Sequence, residues 1–197
     1  MALDIPQKNT GDALTADEFN QVNDAIVQLQ NELIEVRGIT GGADYSDTQY
    51  TEGSPFLITA GVENKTNMPN NAGNVYDTQK PTYITTFYDN VTGKILGRNG
   101  DFLSLNIELT ARPTTNATNV RLRISIDIGG VPGEIYPDER ILTRGVGVAQ
   151  NILFPLPVIY TRDTFETNGG IVKVWSENSN VEIYNIRFVF ANHHKAR

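Results

Sequence analysis

The fold of this chain is decided by two neighbouring stretches, LSLNIELT at residues 103–110 and VRLRISIDI at residues 120–128. In both stretches every second residue is leucine, isoleucine or valine, and the residues between them are polar or charged. Successive side chains of a β-strand point to opposite faces, so this period of two predicts strands with one buried and one solvated face. Such strands are typical of antiparallel sheets that cover a single core.

Further strand-like runs occur from residue 55 to the last residue, and turn dipeptides such as Asn99-Gly100 and Asn168-Gly169 separate them. These runs are residues 56–62, 83–88, 94–96, 134–142, 148–154, 158–161, 170–175 and 181–191. About nine or ten short strands without a helix between them predict an antiparallel sandwich. The fold class is therefore mainly β, with a C-terminal antiparallel jelly-roll β-sandwich over residues 55–197.

Three local irregularities can be located in this β region. The alternation of residues 181–191 slips by one at Tyr184-Asn185, which predicts a β-bulge. The segment 89–93, DNVTG, predicts a hairpin loop with its glycine in the left-handed region. Pro155 and Pro157 lack the amide that a central strand donates, so they predict an edge or a corner.

Residues 15–38 have a helical period instead, and their start is strongly marked. Thr15 and Glu18 have the spacing of a capping box, and Leu14 can pack on Phe19 as a hydrophobic staple. Gly38 is a typical helix stop. The segment therefore predicts an N-terminal α-helix over residues 15–38.

The apolar residues of this helix recur at alternating steps of three and four, as in a coiled coil. We expect them to form the oligomer seam, with Glu32 and Arg37 as an inter-chain ion pair between parallel neighbours. The seam residues are Phe19, Val22, Ile26, Leu29, Leu33 and Val36. A coiled-coil stalk is the favoured interpretation, and packing of the helix on its own domain is the alternative. The heptad pattern alone does not distinguish a bundle of two helices from a bundle of three.

Two segments without periodicity flank the helix. Residues 1–14 predict an extended N-terminal arm, either an anchor on a partner or a frayed end. We assign particle attachment to the residues Leu3, Asp4, Ile5, Pro6, Gln7 and Lys8. Residues 39–54 are rich in Gly, Asp, Ser and Thr and predict a flexible linker.

Composition limits the classes of partner. The 197 residues carry a net charge of −7 with scattered basic residues, which argues against nucleic acid as a partner. The chain has no cysteine, so neither a disulfide frame nor a cysteine-based metal site is expected. We also expect no signal peptide and no membrane segment, which corresponds to synthesis in a cytoplasm.

Candidate chemistry is sparse, and we predict no catalytic residue, no metal site and no cofactor. His193 and His194 are neighbours near the C-terminus, where a solvated tail is the simplest interpretation. The acidic segment with Glu134, Asp138 and Glu139 could hold calcium, but a solvated turn is favoured because it lacks the spacing of a calcium loop.

The aromatic residues fall into two groups by their position along the chain. Those in or beside predicted strands are expected to be buried in the core or at a subunit seam, namely Trp175, Tyr184, Tyr160 and Tyr136. Those in irregular segments are freer to contact a partner, namely Tyr45, Tyr50 and Tyr76.

Two short stretches resemble known proteins. DIPQKNTGD at residues 4–12 with LTADEFN at residues 14–20 resembles the N-terminal segment of tailed-bacteriophage fibre proteins. NGGIVKVW at residues 168–175 with VEIYNIR at residues 181–187 resembles the closing strands of a tumour-necrosis-factor-like jelly roll. The resemblance implies a homotrimer whose arm is inserted in a phage particle.

The expected function is accordingly that of a virion structural protein, a head fibre or capsid decoration protein bound to phage capsid or tail proteins. The alternative is a tail-fibre-type receptor-binding protein whose jelly-roll loops bind a host-surface glycan. The resemblance implies no enzyme activity.

Overall fold

The structure is a computed structural model and describes residues 15–39, 41–65, 72–130 and 133–194. The chain divides into two units, Met1–Gly38 and Ile39–Arg197, which are considered separately. In the described part of the chain, no helix has the length and apolar character needed to cross a membrane.

Helix α1 (Ala16–Ile39) begins with the predicted capping box. The backbone amide of Thr15 donates to Oε2 of Glu18 at 2.7 Å, and the Glu18 amide donates to Oγ1 of Thr15 at 3.3 Å. These reciprocal bonds satisfy amides that a helix start leaves without intrahelical acceptors. The staple residue Leu14 lies outside the described residues. The predicted stop at Gly38 is off by one, because the helix continues to Ile39.

The described part of the second unit contains twelve strands and a short helix. They are β1 (Gly41–Asp47), β2 (Phe56–Ile58), β3 (Asn64–Lys65), β4 (Ala72–Tyr76), β5 (Tyr88–Asp89), β6 (Lys94–Ile95), β7 (Phe102–Pro113), β8 (Val120–Asp127), β9 (Glu134–Leu142), β10 (Gln150–Tyr160), α2 (Asp163–Asn168), β11 (Gly170–Glu177) and β12 (Val181–His194).

The strands form two antiparallel six-stranded sheets. Sheet 1 has the order β10-β7-β12-β1-β4, with β2 also paired to β12. Sheet 2 has the order β5-β6-β11-β8-β9, with β3 also paired to β11. The pairs are nested, because β1 pairs with β12, β6 with β11, β7 with β10 and β8 with β9. A long hairpin wrapped into two sheets gives this pattern, which confirms the predicted jelly roll.

The core lies between the sheets and uses the predicted alternation. The inward residues of β7 and β8, such as Leu105 and Leu122, are fully buried. An aromatic cluster fills one part of the core, where the rings of Phe87 and Phe190 stack at 5.5 Å and Tyr45 meets Phe190 edge-on at 5.7 Å. Apolar burial of this kind is the main force that holds the two sheets together.

The three predicted irregularities are confirmed. The register of β12 against β7 shifts between Tyr184 and Arg187, and Asn185 has φ of 52°. Gly93 has φ of 70° in the loop between β5 and β6, and its amide donates to the Asp89 carbonyl at 2.8 Å. Strand β10, which contains both prolines, lies at the edge of sheet 1.

The predicted linker is wrong, because residues 39–54 contain β1, an inner strand of sheet 1. Ala43 and Tyr45 of β1 are buried, and a Cβ on Gly42 would lie 2.4 Å from the carbonyl oxygen of Phe190. The glycine that suggested flexibility is therefore required by a close approach of two backbones.

The strand and helix assignments needed three smaller corrections. The predicted strand 83–88 is mostly irregular, and only its last residue, Tyr88, belongs to a strand, β5. The predicted strands 148–154 and 158–161 are one strand, β10. Helix α2 was not predicted, because its six residues are too few to show a helical period.

Candidate functional site

The first candidate site is the apolar stripe of α1. Phe19 is 61% exposed, Ile26 is 47% exposed and Leu29 is 64% exposed, while Val22 is partly exposed. The side chains of Leu33 and Val36, at the remaining seam positions, lie outside the description. Four described residues at heptad spacing thus present apolar surface along one side of the helix.

The predicted inter-chain ion pair is only partly within the described residues. The Glu32 side chain is exposed, and its Oε1 accepts a hydrogen bond from Nε2 of Gln28 at 3.1 Å, one turn earlier in the helix. The Arg37 side chain lies outside the description, as do the attachment residues Leu3–Lys8. Both assignments stay predictions.

The second candidate site is a cleft at one end of the jelly roll, which we call the aromatic cleft. It has a volume of about 380 Å³ and lies where β10 leads into α2, beside the start of β9. The residues on which its chemistry depends are Tyr136, Tyr160, Arg162, Asp163 and Thr164. Aromatic rings thus occur together with a cation, a carboxylate and a hydroxyl, which is the mixture common in small-ligand sites.

Exposed aromatic rings mark one wall of this cleft. Tyr160 is 39% exposed, and its ring stacks on that of Phe102, which is 37% exposed, at 4.7 Å between centroids. The guanidinium of Arg162 lies 5.7 Å from the centre of the Tyr160 ring. The ring of Tyr160 therefore lies in an accessible aromatic stack and not in the core, while its predicted alternative, burial at a subunit seam, stays a prediction.

The backbone around the aromatic cleft has an unusual conformation. Tyr136 has φ of 53°, a left-handed value that is uncommon for a large side chain. It lies in a bulge of β9, because the pairing with β8 shifts between Ile124 and Ile126. The Tyr160 amide donates to the hydroxyl of Tyr136 at 3.0 Å, which ties β10 to this bulge.

The acidic segment of β9 is neutralised by basic neighbours. Glu134 accepts a hydrogen bond from Lys173 at 2.5 Å, and this bond lowers the pKa of Glu134 below its ordinary value. Two further ion pairs occupy the other carboxylates, Arg140 with Asp138 at 2.6 Å and Arg121 with Glu139 at 3.2 Å. Among the described residues no group of three or more potential ligands could hold a metal ion.

The histidines extend β12 rather than forming a tail. Nε2 of His193 lies 3.0 Å from Oγ of Ser104, the spacing of a nucleophile and its base. In the described part of the chain, however, no carboxylate is hydrogen-bonded to the other ring nitrogen of His193. The contact therefore lacks the third group that orients the imidazole in a catalytic triad.

The predictions for the remaining aromatic residues have different outcomes. Tyr184 is buried, as expected, and Trp175 is half-buried beneath the guanidinium of Arg123 at 5.5 Å. Tyr45 is 2% exposed and belongs to the core, so its predicted availability to a partner is wrong. Tyr76 is 69% exposed on β4, in agreement with its predicted accessibility.

Three residues of the aromatic cleft were not singled out from the sequence. Arg162, Asp163 and Thr164 begin two residues after the exposed tyrosine that ends strand β10. A polar run after an aromatic strand end is the available signal, because loops beside rigid strands often carry binding residues.

The fold and these sites define the protein as a jelly roll preceded by a capped amphipathic helix. No family model and no curated protein matches the chain. Solved structures do resemble it. The chain is similar to the structure of Eiger TNF from S. frugiperda, at 6% identity and a TM-score of 0.47, over 80% of this chain and 95% of that one.

Two viral proteins are similar at lower scores. The PRD1 vertex protein P5 shares 12% identity at a TM-score of 0.36, over 79% of this chain and 96% of that one. The VP2 subviral particle of infectious bursal disease virus shares 12% identity at 0.38, over 79% of this chain and 33% of that one. Likenesses this distant do not bear on function, and the jelly-roll assignment rests on the strand pairing of the chain itself.

Proposed function

We propose that this chain is a virion structural protein, a homotrimeric head fibre or capsid decoration protein of a tailed bacteriophage. The observation that carries the proposal is the exposed heptad stripe of α1 in a chain whose larger unit is a jelly roll. The resemblance of residues 4–20 to phage fibre proteins supports the same assignment.

The stripe gives a physical reason for assembly. A helix of 24 residues that exposes Phe19, Ile26 and Leu29 is marginal alone in water. Each large apolar side chain contributes about 1.5–3 kcal/mol when it is fully buried, so pairing along the stripe stabilises helix and oligomer together. Parallel helices would bring the Glu32 of one chain near the Arg37 of another.

Attachment is assigned to the arm that precedes α1. Residues 3–8, LDIPQK, combine two apolar residues with a proline that favours an extended backbone. An extended segment of this kind can order against a capsid or tail protein when it binds. The protein would then be located in the virion after synthesis in the host cytoplasm.

The oligomer seam is tested by comparing two variants of the full chain. Ile26→Asp with Leu29→Asp places charge in the stripe, whereas Val27→Asp changes a neighbour of similar exposure, 48%, that lies outside it. Light scattering after gel filtration should give three times the 21.8 kDa chain mass for the unmodified protein and for Val27→Asp. The double variant should dissociate at higher protein concentration than Val27→Asp. A monomeric unmodified chain at micromolar concentration would refute the seam.

Attachment is tested separately by deleting residues 1–14. The shortened chain should still form trimers but should no longer sediment with particles that lack the protein, whereas the full chain should sediment with them. Retention of the shortened chain on the particles would show that attachment lies elsewhere.

A second function is favoured by the aromatic cleft. Exposed tyrosine and phenylalanine rings at the loop end of a jelly roll suit a receptor-binding protein that holds a host-surface glycan. Binding of the purified full chain to immobilised glycans tests this function, and it is compatible with attachment through the arm.

A further inference from the structure

We propose that the aromatic cleft binds an uncharged hexopyranose unit, with Tyr160 as the stacking surface and residues 162–164 as the hydrogen-bonding groups. The inference rests on the second proposed function and assigns its site and sugar class. Pyranose rings have an apolar face of C–H groups and a rim of hydroxyls, so a suitable site combines an aromatic ring with donors and acceptors at its edge.

Tyr160 has the properties of such a stacking surface. Its ring lines the cleft and is 39% exposed, while Phe102, which is outside the cleft lining, stacks on it at an interplanar angle of 29°. Phe102 therefore packs on the ring and limits its rotation, and the exposed guanidinium of Arg162 lies 5.7 Å from the ring centre. An aromatic surface held in place in this way loses little side-chain entropy when a ligand packs on it.

The hydrogen-bonding groups come from three consecutive residues. In the described part of the chain, the Arg162 guanidinium has no ion-pair partner and the Thr164 hydroxyl has no hydrogen-bond partner. Asp163 accepts a hydrogen bond from the side-chain amide of Asn99, which orients its carboxylate and leaves further acceptor positions. Five N–H donors, a hydroxyl and a carboxylate can therefore meet the hydroxyls of one sugar ring.

The charges of the cleft favour a neutral ligand. Arg162 and Asp163 are adjacent and opposite in charge, so the local charge is balanced. The whole chain carries −7, which repels an acidic polysaccharide at low ionic strength. An uncharged hexopyranose therefore fits better than a uronic acid or a sulfated sugar.

The cleft backbone is also held in place before any ligand arrives. The Thr161 side chain is fully buried, and its amide donates to the Asp101 carbonyl at 3.0 Å while its own carbonyl accepts from Gly100 at 2.7 Å. Together with the bond from the Tyr160 amide to Tyr136, these contacts fix the segment on both sides. Pre-organisation of this kind improves affinity without additional contacts.

A larger depression on the outer face of sheet 1 is a weaker candidate. It has a volume of about 440 Å³ beside the bulge at Asn185, and Thr110 and Asn151 supply polar groups there. None of its described lining residues is aromatic, so these residues offer no ring on which the apolar face of a sugar could stack.

The test uses the full chain and a panel of methyl hexopyranosides, with methyl glucuronide as the acidic comparison. Saturation-transfer NMR at millimolar ligand should detect binding of at least one neutral glycoside, with Kd measured by titration. Tyr160→Ala and Arg162→Ala should each weaken that binding by at least tenfold. Tyr76→Ala, which removes a 69% exposed tyrosine on β4, should leave it unchanged.

The outcomes separate the site from the function. Binding of a neutral sugar that survives both cleft substitutions refutes the site but keeps the receptor-binding function. Preferential binding of the glucuronide refutes the sugar class. Absence of binding to the whole panel and to immobilised host glycans refutes both the inference and the function on which it rests. Arg162→Ala keeps the test valid if Tyr160→Ala unfolds, because the Arg162 side chain is exposed.

Discussion

Replacement of Tyr45 by alanine should strongly destabilise the jelly roll, because this residue is a core residue of β1. It is 2% exposed, and its ring meets Phe190 edge-on at 5.7 Å and Tyr88 at 5.8 Å. Removal of a buried aromatic side chain costs about 3–5 kcal/mol. For a domain of this size each kcal/mol lowers Tm by about 2–4 °C, so we expect a decrease of about 6–20 °C.

Tyr45→Phe isolates the polar part of the effect. The Tyr45 hydroxyl lies 2.8 Å from Oγ1 of Thr86 and accepts the buried amide of Phe87 at 3.1 Å. Loss of the hydroxyl leaves that amide without its acceptor, at a cost of about 1–3 kcal/mol. Tyr45→Phe should therefore be intermediate in stability between the unmodified chain and Tyr45→Ala.

Urea unfolding measures the changes in free energy of unfolding and thermal unfolding measures the changes in Tm. Both are followed by circular dichroism at one fixed protein concentration, so that the contribution of oligomerisation is held constant. Tyr76→Ala is the matched control, because Tyr76 is 69% exposed and its removal should change stability by less than about 0.5 kcal/mol.

Truncation extends the test, since a chain lacking residues 1–38 should keep a folded jelly roll and one lacking residues 1–54 should not. Equal stability of Tyr45→Ala and Tyr76→Ala would refute the assignment of β1 to the core.

Two further predictions concern the bulge of β12 and the ion pairs of sheet 2. Asn185→Val should lower the free energy of unfolding by about 1–2 kcal/mol, because a branched side chain is disfavoured at a φ of 52°. Asn185→Gly should be tolerated. Equal stability of the two variants in urea unfolding would contradict this prediction. Lys173 lowers the pKa of Glu134 in the folded state. The ion pair therefore stabilises the fold fully above the ordinary glutamate pKa, and this stabilisation is lost as the pH falls through the lowered pKa. In Lys173→Met the free energy of unfolding should therefore fall less steeply as the pH is lowered into the acid range. An unchanged dependence on pH would show that this ion pair does not cause the fall.

The sequence predicts the sheets well because burial leaves a period-two pattern wherever a strand has one solvated face. The long alternations of β7 and β8, and the phase slip at Asn185, were all visible. The capping box of α1 was predictable for a similar reason, since it depends on residues three positions apart.

The missed features depend on residues that are distant along the chain. Strand β1 contributes only Ala43 and Tyr45 to the core, and its Gly42 is explained by the close approach of Phe190 in the partner strand rather than by flexibility. The aromatic cleft likewise joins Tyr136 to Tyr160, and no spacing rule connects these positions. A pattern within one segment does not contain this information, because the contacts arise when the sheets pair.

The position of β1 also has a mechanical consequence. Residues 41–46 of β1 pair with β12 on one side, and residues 44–47 pair with β4 on the other. Hydrogen bonds of an antiparallel ladder are perpendicular to the strands, so a pull along β1 loads both ladders in shear. Many bonds must then break together, whereas peeling would break them one at a time. A tether joined to the jelly roll through the residues before Gly41 could therefore bear tension while the sandwich stays folded.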